Sequence, residues 1–382
     1  MLPPSYAFGL PQGATVTAMA VEAGCTDPGL HAFLLETVAG EAAAAPEILV
    51  RFIPSALAPT KLGWAGKKLL RIKSATTPAV LALEGKKPAW AAAYAKVGPD
   101  GALVPTLAVL RADIGAQTFT TELRKFDGAG RFFSPLLLAS GGGVAMLWGE
   151  DDPAGSRIVL AAVDAQDPSI AGKKTLAAGP MLDRFVALAR DDALLVARLE
   201  STADDGECLD VVVEKFDLEG ARTGGVRAAG VCGEAVLTGV RVKDAQTIVD
   251  GFEGRKGRMK PFDVKVDGGF STATIEKRGS PSVPYDATFV AFSDVVFWKK
   301  RNDDSAATLE FYGKGLPVSE NGASAPLALS LCGASAVGAW VHEGSGGKGV
   351  VRFFEIPLKD GDGDGILDAF DACPEGETAE DG

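Results

Sequence analysis

The feature that most constrains this chain is an internal repeat. One unit recurs: an apolar strand ending in a charged residue, a polar loop, then a second strand ending near an aromatic or Val. The first strand of each pair ends at Glu36, Glu84, Glu150, Glu200, Glu253, Lys300 and Glu343. The second ends near Phe52, Val97, Val163, Phe216, Val266, Phe311 and Phe354. Two more short strands separate successive pairs, as in KKTLAAG followed by DRFVALARD. Runs such as LDVVV and VVFW are apolar without clean alternation, as a sheet covered on both faces requires. The chain carries 47 Gly and 22 Pro in 382 residues. Such dense punctuation suits many short strands joined by turns and argues against long helices.

Several strands in a unit of roughly 40–50 residues predict an all-β fold that resembles a β-propeller. The expectation is about seven four-stranded blades over residues 1–357, with a short segment, 358–382, after them. The interval from Glu84 to Glu150 is the longest and contains TLAVLRADIGAQTFTTELRKFDGAG, an insertion or the rump of an eighth unit. Six and eight blades therefore stay open, and two tandem β-sandwiches are the competing architecture. The seventh unit reaches Ile356-Pro357 without a fourth strand. The N-terminal SYAFGLP is expected to supply it, which closes the ring and removes free sheet edges.

The net charge is −12, from 50 acidic and 38 basic residues. An acidic surface disfavours nucleic acid, whose phosphates need a basic footprint. No run of about 18 apolar residues is present to span a membrane as a helix. Met1-Leu2-Pro3-Pro4-Ser5 has neither a basic nor an apolar leader region, so a signal peptide is expected to be absent or already removed. There are five cysteines, no CxxC, and two histidines, His31 and His342, which disfavours zinc. The repeat register pairs Cys208, at the start of a third strand, with Cys232, after the fourth strand of the same unit. It also brings Cys25 and Cys332 into neighbouring units of a closed ring, and leaves Cys373 over.

The strongest chemical signal is DGDGDGILDAFDACP, Asp360 to Pro374. Calcium takes six to eight hard oxygens at flexible distances, and alternate Asp residues on a Gly-rich loop supply them. Asp360, Asp362 and Asp364 fall at loop positions 1, 3 and 5, Gly365 at the sharp turn, and Asp368 and Asp371 at positions 9 and 12. Ile366 offers its carbonyl. The flanks are not those of an EF-hand, since VVRFFEIP is strand-like and Cys373-Pro374 breaks any exiting helix. The segment resembles a thrombospondin type 3 repeat, D-x-D-x-D-G-x-x-D-x-x-D-x-C-P, matched at each of those positions. That resemblance implies a Ca²⁺ cofactor. It also implies a place in bacterial envelope proteins, where such repeats link an N-terminal domain to a cell-wall-binding domain of the OmpA type. The chain ends within the array and reads as a segment of a longer exported protein.

Other motifs are weaker. The recurrent strand-end Glu residues read as solvated ends, or as a ring that binds a cation or a basic ligand. GSGGKG at 344–349 and SGGG at 140–143 read as turns, and Trp148, Trp298 and Trp340 as blade core. No Ser-His-Asp order appears, and no catalytic residue is assigned. The expected function is a non-catalytic recognition or scaffold domain of an exported envelope or surface protein. It would be extracytoplasmic (periplasmic, outer-membrane associated or secreted), with an unknown protein or glycan at the propeller face. The alternatives are a carbohydrate-active propeller using channel carboxylates and a structural assembly module. Acidic residues converging in a pocket with raised pKa would favour the enzyme.

Overall fold

The computed structural model describes strands between residues 6 and 357, and side chains for most of residues 89–279. The fold is a seven-bladed β-propeller. Every sheet is an antiparallel meander of four strands, and blade 5 carries one extra short strand, Val283–Pro284, on its third strand. The innermost strands run Thr15–Glu22, Ala79–Leu83, Arg131–Ser140, Phe185–Arg190, Glu234–Lys243, Thr288–Phe292 and Ala323–Cys332 in blades 1 to 7. Each touches the innermost strand of the next blade, and that of blade 7 touches that of blade 1, so the ring is closed. Blade 7 has three of its own strands, and Tyr6–Gly9 pairs with Gly349–Pro357 as the fourth. No helix among the described residues is long and apolar enough to cross a membrane.

The long interval in the repeat has a simple cause. Glu84 follows an innermost strand, Ala79–Leu83, whereas Glu150, Glu200 and Glu253 lie on second strands. The second strand of blade 2 is Ala89–Val97, an almost uniformly apolar and Ala-rich run whose end carries Lys96 instead of an acid. TLAVLRADIGAQTFTTELRK is neither an insertion nor an eighth unit; it holds that blade's third and fourth strands, Leu103–Asp113 and Thr118–Lys125.

The two-sided apolar runs bury both faces. Ala91, Ala93 and Ala95 of blade 2 pack with Met146, Trp148, Val159 and Ala161 of blade 3. The opposite face of blade 3, through Leu147 and Leu160, meets Leu194, Val196 and Phe216 of blade 4. Blade 4 then meets blade 5 through Ala197, Val211 and Val213 against Val249, Phe262 and Val264. Period-2 alternation thus survives as an alternation of neighbours, with odd and even residues serving different interfaces. Trp148 is fully buried and is flanked by Phe126 and Phe132 at ring separations of 5.3 and 6.4 Å, which is a core role. Trp298 and Trp340 also lie on second strands, Val295–Arg301 and Ser335–Glu343; their side chains lie outside the described residues.

Candidate functional site

Strand order gives the ring two unlike rims. One carries the hairpins between second and third strands and the crossovers from blade to blade. The other carries the hairpins between first and second, and third and fourth, strands. At the first rim the strand-end acids are occupied. Glu150, almost fully buried, accepts from Arg157 at 2.6 and 2.8 Å, Lys173 at 3.0 Å and the Trp148 indole at 3.0 Å. Burial alone would push the Glu200 carboxyl up, but hydrogen bonds and charge from Arg198 and Arg227 outweigh it and hold it below its usual value. Glu253 accepts from Lys277 at 2.8 Å and from the Cys232 amide at 2.9 Å. Among the described residues this ring of acids is therefore structural rather than open to an added cation.

The same rim carries a cross-link within blade 4. Cys208 and Cys232 stand directly opposite in register and form a disulfide at the point where the chain crosses from blade 4 to blade 5. Cys25 lies outside the described residues, and Cys332 ends the innermost strand of blade 7 with its side chain likewise outside them. The calcium-loop residues Asp360, Asp362, Asp364, Ile366, Asp368 and Asp371 also lie outside the described residues.

At the other rim the two blades part to leave a cleft of about 450 Å³. Blade 4 lines it with Arg190, Asp192 and Leu195 from its first hairpin and with Lys215, Asp217 and Thr223 from its second. Blade 5 contributes Val242, Ala245 and Thr247, then Gly268 and Phe270. Local sequence explains each turn. Lys243 pairs with Gln246 across a two-residue loop, Asp244-Ala245, with φ of 50° and 62°. Positive φ at both positions is the primed turn that matches strand twist, although Ala is a poor occupant of it. The outer hairpins share one design. Asp217 accepts the Gly220 amide at its carbonyl (3.0 Å) and the Ala221 amide at its carboxylate (2.7 Å). Asp267 does the same for Phe270 (3.0 Å) and Ser271 (2.7 Å). Hydrogen bonds from the Ser271 hydroxyl and the Thr272 amide hold the Asp267 carboxyl below its ordinary range.

The fourth position of these twin turns is left-handed. Gly220 fills it in blade 4 at φ 85°, whereas blade 5 places Phe270 there at φ 54°. Glycine takes this conformation freely, and an aromatic side chain pays about 1–3 kcal/mol. The strain holds the half-buried Phe270 ring at the cleft wall, beside Gly224 of blade 4, where an added Cβ would stand 3.4 Å from the Phe270 Cβ.

A second arrangement is chemically conspicuous. Asp250 and Asp263 are register partners on neighbouring strands of blade 5, both buried. Arg241 forks onto Asp250 at 3.0–3.2 Å, and Arg278 bonds Asp263 at 2.9 Å. Burial pushes Asp250 up to about 6; Arg241 opposes that shift and the charge of the neighbouring Asp263 adds to it. Sequence reasoning missed this pair because neither residue belongs to a motif, and only strand pairing brings them together. Both carboxyls are taken up by arginines, unlike a glycosidase pair, which faces the bond it cleaves. Arg241 reaches both, 3.0 Å from Asp250 and 3.9 Å from Asp263.

No family model matches the chain, and no curated protein matches it. Among solved structures, α-L-arabinanase from Penicillium chrysogenum in complex with arabinobiose is 9% identical, with 94% of this chain and 99% of that one covered and a TM-score of 0.46. The β-propeller domain of the Trilobed protease from Pyrococcus furiosus, described as having an open velcro topology, is 10% identical, with 91% and 99% covered and a TM-score of 0.48. Trypanosoma rangeli sialidase is 12% identical, with 90% and 60% covered and a TM-score of 0.45. Identities this low assign no activity.

Proposed function

We propose that this propeller is a non-catalytic recognition domain that binds a saccharide in the cleft between blades 4 and 5. The observation that carries the reading is the strained Phe270, held at a polar cleft where the sister turn uses glycine. Strain persists where the surrounding structure over-determines it, and it concentrates at ligand sites. An aromatic face beside carboxylates, cations and a hydroxyl is the mixture that sugar rings need: a flat apolar surface with directional donors and acceptors around it. About 450 Å³ accommodates one or two sugar units.

The domain acts outside the cytoplasm. The Cys208–Cys232 disulfide supports this, because such bonds persist in oxidising compartments. The Asp360–Asp371 loop binds Ca²⁺ and stiffens the tether of the propeller to an envelope partner, as its thrombospondin type 3 spacing implies.

Calorimetry against a panel of neutral and acidic oligosaccharides tests the reading. Expected is binding by the wild type that is lost in Phe270→Gly and weakened in Asp192→Asn. Failure of every sugar to bind would sink it. Release of reducing ends during the titration would establish the carbohydrate-active enzyme instead.

A further inference from the structure

We propose that the ligand of the cleft between blades 4 and 5 is an acidic saccharide, whose carboxylate or sulfate group is held between Lys215 and Thr247. The inference rests on the saccharide reading of that cleft and adds the charge of the ligand to it. Strand register sets the two residues on facing surfaces. Lys215 follows Val211 and Val213 on the same face of one strand of blade 4, and Thr247 precedes Val249 on the same face of one strand of blade 5. Those valines belong to the apolar seam that joins the two blades. One step further along, both rows turn polar, and both polar residues line the cleft. Comparison among the blades shows that this change is particular to one seam. The second residues of the second strands of blades 3 and 4 are Val144 and Leu194, which pack in the seams toward blades 2 and 3. Thr247 holds that place in blade 5. On the facing side, Val109 of blade 2 stands opposite Ala91 and Ala162 of blade 3 opposite Ala145, as Lys215 of blade 4 stands opposite Leu195. The corresponding positions are therefore Val109 and Val144 in one seam, Ala162 and Leu194 in the next, and Lys215 and Thr247 here.

Charge in the cleft sorts by depth. Asp192 and Asp217 stand at the turns that form its mouth, and Asp217 lies two residues, about 7 Å, nearer the rim than Lys215. The Asp217 carboxylate accepts the Ala221 amide of its own turn at 2.7 Å. Arg190 ends the innermost strand and also belongs to the mouth. Between the facing rows the charged group is Lys215, a cation. Blade 5 has a lysine at the same position, Lys265, and Glu276 on the next strand meets it at 2.7 Å; the residue beside Lys215 on its next strand is Gly224. Thr247 is 5% exposed, and its hydroxyl bonds to no other described residue, so it is open to the cleft alone. Facing sheets stand about 10 Å apart, and an anionic group between them takes a charge-assisted bond from the ammonium and a second bond from the hydroxyl. Phe270 lies further out, against Gly224. One sugar unit thus rests on the ring with its acidic substituent turned inward.

The test titrates the full chain by calorimetry with matched pairs at one ionic strength: oligogalacturonate with its methyl ester, and a sulfated galactan oligosaccharide with its unsulfated parent. Expected is tighter binding of the acidic member of at least one pair by about tenfold or more. Which pair shows it tells a carboxylate from a sulfate. The ratio of acidic to neutral affinity should fall toward one in Lys215→Gln, fall in part in Thr247→Val, and be kept in Lys215→Arg, which retains the charge. Thermal melts of the three variants check that each is folded. Equal affinities of the wild type for both members of each pair would overturn the charge assignment and leave the saccharide reading standing. A ratio that survives Lys215→Gln would also overturn it, by placing the anion elsewhere in the cleft, at Arg190. Binding of neither member of either pair would overturn both readings.

Discussion

Phe270 and Gly220 occupy the same position of twin hairpin turns in adjacent blades, both left-handed, at φ 54° and 85°. Phe270→Gly relieves about 1–3 kcal/mol of backbone strain but forfeits part of the roughly 1.5–3 kcal/mol that burying a phenylalanine contributes. The two nearly cancel. The variant is expected to unfold in urea within about 1 kcal/mol of wild type, so its loss of saccharide binding reports on the cleft and not on folding. A drop well beyond that would make Phe270 a packing residue.

The Asp250–Asp263 pair makes blade 5 sensitive to pH. Asp250 has a folded pKa of about 6, above its ordinary 3.8, so the folded state binds its proton more tightly than the unfolded chain does. Its contribution is full below the ordinary value and is lost as pH rises through about 6. Asp250→Asn keeps an uncharged group in place, and the gain over wild type should grow from pH 4 to pH 7 by about 1–3 kcal/mol. Urea midpoints of both proteins at the two pH values check this, and a constant difference would contradict it.

Cys208 and Cys232 close a loop of sequence separation 24 at the crossover from blade 4 to blade 5. Replacing both with Ser should cost about 2–4 kcal/mol by releasing the unfolded chain from a cross-link. Reductant should lower wild-type stability by a similar amount and leave the double variant unchanged. Peptide mapping without reductant identifies the pair directly.

Gly149 lies against the ring of Phe133, its register partner on the innermost strand of blade 3, and a Cβ there would stand 2.1 Å from the ring. Gly149→Ala must push the ring or the strand aside, and about 1–3 kcal/mol of destabilisation is expected by thermal or urea unfolding. A neutral result would mean that Phe133 has space to turn.

For the acidic loop, calcium should order the tail without being needed to fold the blades. Asp360, Asp362, Asp364, Asp368 and Asp371 repel one another without a cation. Calorimetry should give a calcium heat that disappears in Asp362→Ala/Asp364→Ala. Chelator should leave the propeller's Tm within a degree or two, and unfolding of the whole domain by chelator would refute the division into body and tail.

What the sequence by itself determined was the architecture. Strand length, Gly and Pro punctuation and apolar runs without alternation are local properties, so a propeller of about seven blades and the borrowed strand Tyr6–Gly9 were legible in it, while the choice among six, seven and eight blades was left to the sheet pairing. Cys208 and Cys232 were legible too, because antiparallel meanders place strand ends predictably. The register of blade 2 was not, because Ala89–Val97 lacks the strand-end acid that marked the others. The tertiary structure alone decided which polar groups meet. It turned the strand-end acids Glu150 and Glu200 into ion pairs, set Asp250 against Asp263, and put Phe270 at the cleft wall. The physical reason is that pairing and blade contact join residues far apart in sequence, and whether a charge is solvated, paired or buried depends on those neighbours and not on its place in the repeat.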